Sequence, residues 1–324
     1  MFLSTSKRRR WLGLGAILLA GVGFGIGAVD DIPVEQLIQR YSYSDSRFVT
    51  IDGLSVHYRE SNPHGAETVL LLHGAGASLH TWAVWQRELA KHYRVISFDL
   101  PAFGLTGPFP DSDYGHARMM TFLDAFHDRL GLKQTHLVGN SLGGLYAWQY
   151  ARHAPERVAK LVLLSPGGLD YDVPEAKAFD LGLKLAKWPV SSVFSWYITP
   201  KSLVEQSLEH VYAQPAKLTQ ANKDRYYDLM LREGNRRAFT AILKTYDQVI
   251  PQAADALQRI QQPTLLMWGD QDTHRNLTVA QAFSALMPND EIRVYAPAGH
   301  VIMEEIPEQT VADALAFLAR RHAP

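Results

Sequence analysis

The segment Val138-Gly139-Asn140-Ser141-Leu142-Gly143-Gly144 sets one serine between glycines, after an apolar run and before an amphipathic one. A serine hydroxyl is a weak nucleophile until a base takes its proton. The G-x-S-x-G spacing is the one at which a tight strand-to-helix turn leaves no room for side chains two residues to either side. Such a turn strains the serine backbone and lifts Ser141 Oγ above a sheet, while the free amides of the following helix face the reacting centre. The chemistry then needs a base, a group to orient that base, and donors for an oxyanion. His73-Gly74-Ala75-Gly76 closes the apolar run Val69 to Leu72, so the backbone N–H groups of Ala75 and Leu142 are the expected donors. Gly269-Asp270-Gln271-Asp272 ends another apolar run and offers two candidate acids. Of the 13 histidines, His300 is the expected base, because Pro297-Ala298-Gly299-His300 follows the last strand-like run. The resulting chain order is serine, aspartate, histidine.

These residues need a scaffold that brings distant loops together. Strand-like runs at Arg47 to Ile51, Leu54 to Glu60, Thr68 to Leu72, Tyr93 to Phe98, Thr135 to Val138, Val158 to Leu164, Thr264 to Trp268 and Ile292 to Tyr295 alternate with amphipathic stretches. The alternation predicts an α/β fold, a mostly parallel eight-stranded sheet flanked by helices. Asp52-Gly53 predicts a hairpin turn. Helices are predicted at Thr81 to His92, Tyr114 to Leu130 with Gly131 as C-cap, Leu142 to His153, Val279 to Met287 and Glu308 to Arg321. Between Pro166 and Pro263 no strand-like run appears, which predicts a helical insertion leaving from the carboxyl end of the sixth strand, over the ligand side of the sheet. Its aromatics, including Trp188, Phe194, Trp196, Tyr197, Tyr212, Tyr226 and Tyr227, are expected mainly to pack its own core. Leu79 and Trp82 are candidates to line a pocket or to sit in the core.

Composition bounds the chemistry. The chain has 324 residues, 47% of them hydrophobic, and no cysteine, which excludes a disulfide framework, thiolate metal sites and a thiol nucleophile. A formal net charge of −1 gives no cationic field for nucleic acid. The charge is unevenly placed: Lys7, Arg8, Arg9 and Arg10 are the only charges before Asp30, leaving a mildly acidic remainder. Trp11 to Val29 follows without a charge and, as a helix, is long enough to cross a bilayer core. The expectation is a single-pass anchor over residues 11–29, with everything after Asp30 on the outer, periplasmic face, or a secreted chain if the leader is a cleaved signal peptide. The expected domain plan is a basic leader and anchor over 1–29, a juxtamembrane segment over 30–46, core over 47–166, helical cap over 167–262 and core again over 263–324. With no H-E-x-x-H and its only glycine-rich elbow explained by the serine, the chain is expected to need no metal or organic cofactor.

HGAG at 73–76, DLPAFGLT at 99–106, GNSLGG at 139–144, PTLLMWGDQD at 263–272 and GHVIMEEIP at 299–307 resemble the α/β-hydrolase superfamily, in its capped serine-hydrolase form. The resemblance runs from about Arg47 to Arg321 and implies that Asp272, not Asp270, is the acid. It also implies that Asp99 and Glu305 brace loops beside the site. Ala102 departs from the pattern, which often has glycine there.

The GNSLGG elbow resembles two groups in particular, bacterial carboxylesterases and lipases, and hydrolases of carbon–carbon bonds in ring-fission products. The second group usually has Trp after the Gly-His pair, where this chain has Val301. The expected substrate is therefore a small acyl ester. A carbon–carbon hydrolase, and a perhydrolase or acyltransferase, are the alternatives that use the same triad. A binding protein on this fold would lack the complete triad, and a structural membrane protein would need more spanning segments.

Overall fold

The computed structural model describes residues 28–169, 196–246 and 253–320. Eight strands form one sheet: β1 (Ser46–Ile51), β2 (Leu54–Ser61), β3 (Thr68–Leu72), β4 (Arg94–Phe98), β5 (Thr135–Asn140), β6 (Val158–Leu164), β7 (Thr264–Gly269) and β8 (Asp290–Tyr295). Their spatial order is β1-β2-β4-β3-β5-β6-β7-β8. The β1–β2 and β2–β4 pairs are antiparallel and all others parallel. Asp52 and Gly53, with φ of 48° and 80°, make the β1–β2 turn with the left-handed backbone a two-residue hairpin demands.

The central strands are buried on both faces, which is why they read as unbroken apolar runs. Alternate residues serve opposite cores. Leu70 and Leu72 face a cluster with Phe98, Phe122, Phe126 and Trp148, whereas Val69 and Leu71 face Trp82, Trp85, Tyr295 and Phe317. The first cluster is closed by helices over His116–Arg129, Leu142–His153 and Leu277–Leu286, the second by helices over Ala83–Leu89 and Pro307–Leu318. The helix expected from Thr81 begins instead as a 3-10 turn, Leu79–Trp82, because the Leu79 amide donates to the fully buried Asp99 carboxylate at 2.7 Å. Leu79 and Trp82 are both completely buried, Trp82 edge-to-face with Trp85, so they are core side chains.

Between β6 and β7 the described residues form no strand but helices at Lys201–Val211, Gln220–Met230, Asn235–Tyr246 and Ala253–Leu257, with a 3-10 turn at Pro215–Lys217. Trp188 and Phe194 lie outside the described residues. Tyr212 and Tyr226 are buried and both donate to Glu304, at 3.1 and 2.7 Å, and Tyr212 packs in the cluster with Trp82 and Tyr295, so these two fasten the insertion to the sheet domain rather than pack only its own core.

The amino-terminal expectation needs correction. Among the described residues no helix is long and apolar enough to cross a membrane. Residues 11–27 of the expected span lie outside the described residues, and its last two are bound to the body: Ala28 bridges Ile198, and the Val29 amide donates to Tyr197 at 2.7 Å. Among the described residues nothing supports the single-pass anchor with an outer-face catalytic part or the secreted alternative. The segment expected to link membrane and body is instead a docked strap carrying a helix at Val34–Tyr41. Leu37, completely buried, packs with Leu105 and Leu229, and Asp31 pairs with Arg236 of the insertion at 2.6 Å. Tyr41 and Arg40 both reach Asp228. An apolar spacing at Val34, Leu37, Ile38 and Tyr41 carried this helix in the sequence.

Candidate active site

Ser141 stands at the junction of β5 and the helix Leu142–His153 with φ of 52° and ψ of −113°, a backbone conformation that costs an L-residue free energy and that marks a tight elbow. A Cβ on Gly139 would lie 2.5 Å from the Gly143 carbonyl oxygen, and one on Gly143 would run into the carbonyls of Leu72 and His73. Only glycine fits at either side of the turn. The elbow is held by backbone bonds from Ser141 to Leu164 at 3.0 Å and from Gly167 to Ser141 at 2.8 Å.

His300 lies on the loop after β8. Its Nδ1 is 2.7 Å from Asp272 Oδ2, and both side chains are almost completely excluded from solvent. The other carboxylate oxygen of Asp272 accepts from the amides of His274 and Arg275, each at 2.9 Å. Burial alone would push the Asp272 carboxyl up; the imidazole and the amides outweigh it and hold the group below the usual carboxylate range. Asp270 is exposed and accepts from the Ala298 amide at 3.0 Å, bracing the loop ahead of His300 rather than touching the histidine ring. The structure thus brings Asp272, not Asp270, to His300.

Asn140 joins this loop to the elbow: its side-chain amide donates to the His300 carbonyl at 3.2 Å and to Leu164 at 3.1 Å. Among the described residues no hydrogen bond links Ser141 Oγ to the His300 ring; contacts of this kind commonly tighten only with substrate bound. The turn after β3 comes close to the elbow at Gly74, where a Cβ would lie 3.4 Å from Ser141 Cβ, and among the described residues neither the Ala75 nor the Leu142 amide donates to a carbonyl or side chain. His73 sets the first of these turns. Fully buried, it accepts the Leu100 amide at Nε2 (2.9 Å), so its Nδ1 carries the proton and donates to the Gly74 carbonyl at 2.7 Å. Burial pushes its pKa down and keeps it neutral.

Residues 67–307 match the family described as the alpha/beta hydrolase fold. The chain belongs to that family. Among similar proteins of this α/β-hydrolase, the 2-hydroxy-6-oxononadienedioate/2-hydroxy-6-oxononatrienedioate hydrolase 2 of Pseudomonas putida is 31% identical over 267 residues, covering 79% of this chain and 90% of that protein. The meta-cleavage product hydrolase of Pseudomonas fluorescens IP01 shares the fold with a TM-score of 0.72 at 21% identity, covering 84% of this chain and 97% of that one. A membrane phospholipase A described as a bacterial virulence factor has a TM-score of 0.69 at 26% identity, covering 96% and 98%.

In this α/β-hydrolase Asp99 and Glu305 are loop braces, as the resemblance implied. Asp99 binds His57 Nδ1 at 2.7 Å and the amides of Leu79 and Leu105. Burial pushes its carboxyl up, but His57 and the neighbouring histidines hold it down at about 2. Glu305 accepts from Gly299 at 2.7 Å and from Gln214 of the insertion at 2.5 Å. Two neighbours of the site were not read from the sequence. Glu304 ties Tyr212, Arg225 and Tyr226 to the helix just after His300, Ile302–Glu305. His274 stacks on His300, ring centroids 5.3 Å apart and planes 27° from parallel. Its only sequence signal was its place two residues after Asp272.

Proposed function

We propose that the chain is a serine-type hydrolase in which His300 takes the proton from Ser141 as its Oγ attacks a substrate carbonyl. Asp272 holds the histidine tautomer, and the amides of Ala75 and Leu142 receive the oxyanion. The observation that carries this is the buried Asp272–His300 pair, 2.7 Å apart and tied through Asn140 to a strained elbow serine. The helices of the insertion serve as the cap. No cofactor enters any step: the nucleophile, the base and the oxyanion donors are all supplied by the chain.

For the bond that breaks, the curated relatives favour a carbon–carbon bond beside the ketone of a dienone acid over the ester expected from the sequence. As the C–C bond breaks, the carbon that departs, whose electron pair is delocalised into the conjugated acid, takes the proton that His300 removed from Ser141, and the acyl carbon stays on Ser141 Oγ. Water, giving a proton to His300, then attacks this acyl-enzyme; the acyl group leaves as a carboxylic acid and Ser141 recovers its proton.

A second reading, ester hydrolysis, has its own support. Val301 stands where the ring-fission hydrolases usually have Trp, and the phospholipase likeness spans almost the whole chain. Steady-state turnover of a 2-hydroxy-6-oxo-dienoate beside a p-nitrophenyl ester series separates the two readings. Dienoate cleavage with esters at least about tenfold slower in kcat/KM supports the first, and the reverse order selects the second. Turnover of neither class overturns both.

A further inference from the structure

We propose that His274 is a positioning residue for the base: its ring, laid against His300, fixes the plane in which the free imidazole nitrogen meets Ser141. The proposal rests on the reading of Ser141, His300 and Asp272 given above. The hydrogen bond from His300 Nδ1 to Asp272 fixes one corner of the imidazole and leaves the ring free to tilt about that contact. The His274 ring, with centroids 5.3 Å apart and planes 27° from parallel, blocks that tilt on one face. The same carboxylate organises both partners, since Asp272 Oδ2 holds His300 while Oδ1 holds the backbone amide of His274 at 2.9 Å. Acid, base and stacking ring are therefore one unit built on the three consecutive loop residues Asp272, Thr273 and His274 together with His300. From the insertion, the His210 carbonyl accepts Thr273 Oγ1 at 3.0 Å and anchors the loop on its outer side.

The charge state of the ring suits this role. The ionisable groups that act on His274 are His300, Asp272 and Arg275 around the site and His210 on the insertion. Burial, reinforced by His300, pushes its pKa down to about 4, so at neutral pH it is an uncharged cover over the base. An uncharged ring does not oppose the imidazolium that forms when Ser141 loses its proton, and it keeps water from the face it covers. A second protonated imidazole stacked there would oppose it.

The test is the second-order rate at which a fluorophosphonate modifies Ser141, followed from pH 5 to 9 in the full chain and in its His274→Ala and His274→Phe variants. This readout needs no knowledge of the natural substrate. The expected result is a rate at least about fivefold lower in His274→Ala across this pH range, and recovery to within about twofold in His274→Phe, which keeps the stack. A His274→Ala profile that matches the parent overturns the proposal, and so does a His274→Phe variant that is as slow as His274→Ala while its thermal midpoint equals the parent's. Failure of the parent chain to label at Ser141 overturns the underlying reading instead, which keeps the two failures apart.

Discussion

Asn140 and His300, 160 positions apart in the chain, are joined by a hydrogen bond of 3.2 Å from the asparagine side-chain amide to the histidine carbonyl. The residue before the elbow serine thus holds the loop that carries the base, and the same amide also satisfies Leu164 at the end of β6.

Removing that donor should loosen the base without touching substrate. Asn140→Leu, close in volume and without a donor, is expected to lower kcat about tenfold with KM within twofold, and to cost about 1–2 kcal/mol of stability because buried carbonyls lose a partner. Kinetics and urea unfolding on one preparation check both parts.

Ala102 is completely buried with φ of 81°, held there by a 2.7 Å bond from its amide to the Gly107 carbonyl. This is the place where the resemblance expected glycine. An alanine in the left-handed region is strained by about 1–2 kcal/mol, partly offset by the greater freedom glycine has when unfolded. Ala102→Gly is therefore expected to raise stability by about 0.5–1 kcal/mol, read as a higher thermal midpoint.

How much was legible follows from what each feature depends on. The parallel strands were plain because burial on both faces makes them unbroken runs: Thr68–Leu72 and Val158–Leu164 have the bounds read from the sequence. The elbow serine, the glycine turn after β3 and the loop histidine were legible because steric need fixes their glycines and neighbours. The choice between Asp270 and Asp272 was not, since both end the same strand and only the fold of the loop turns Asp272 toward His300. The strap helix Val34–Tyr41 was passed over because it lies in a segment expected to link a membrane to the body. The His274–His300 stack depends on two loops meeting, which no local pattern announces.

Acid should unfold the protein early. Burial is the leading cause that pushes His80, His136 and His274 down to about 4 from the ordinary 6.5. Each stays neutral in the fold and takes up a proton on unfolding, so its contribution is full above pH 6.5 and is lost as the pH falls toward 4. Asp99, held at about 2, matters only at lower pH. Between pH 6 and 4.5 the unfolding free energy should fall with a linkage slope approaching three protons, about 4 kcal/mol per pH unit at its steepest. Denaturant titrations across this range measure the slope; a flat profile would contradict the burial of these rings.

The strap should be a structural part of the insertion. Leu37→Ala is expected to cost about 2–4 kcal/mol, since Leu37 fills a small core with Leu105 and Leu229. Limited proteolysis of that variant should cut within residues 196–246 before it cuts the sheet, whereas the parent chain resists at both places.

The central claim is that Ser141 is the nucleophile and that the Asp272–His300 pair activates it. Peptide-resolved mass after reaction with a fluorophosphonate tests this most directly. The account predicts an adduct on Ser141, no adduct in Ser141→Ala, and labelling at least about 1000-fold slower in His300→Ala. An adduct on a different serine, or an undiminished rate in His300→Ala, would contradict it.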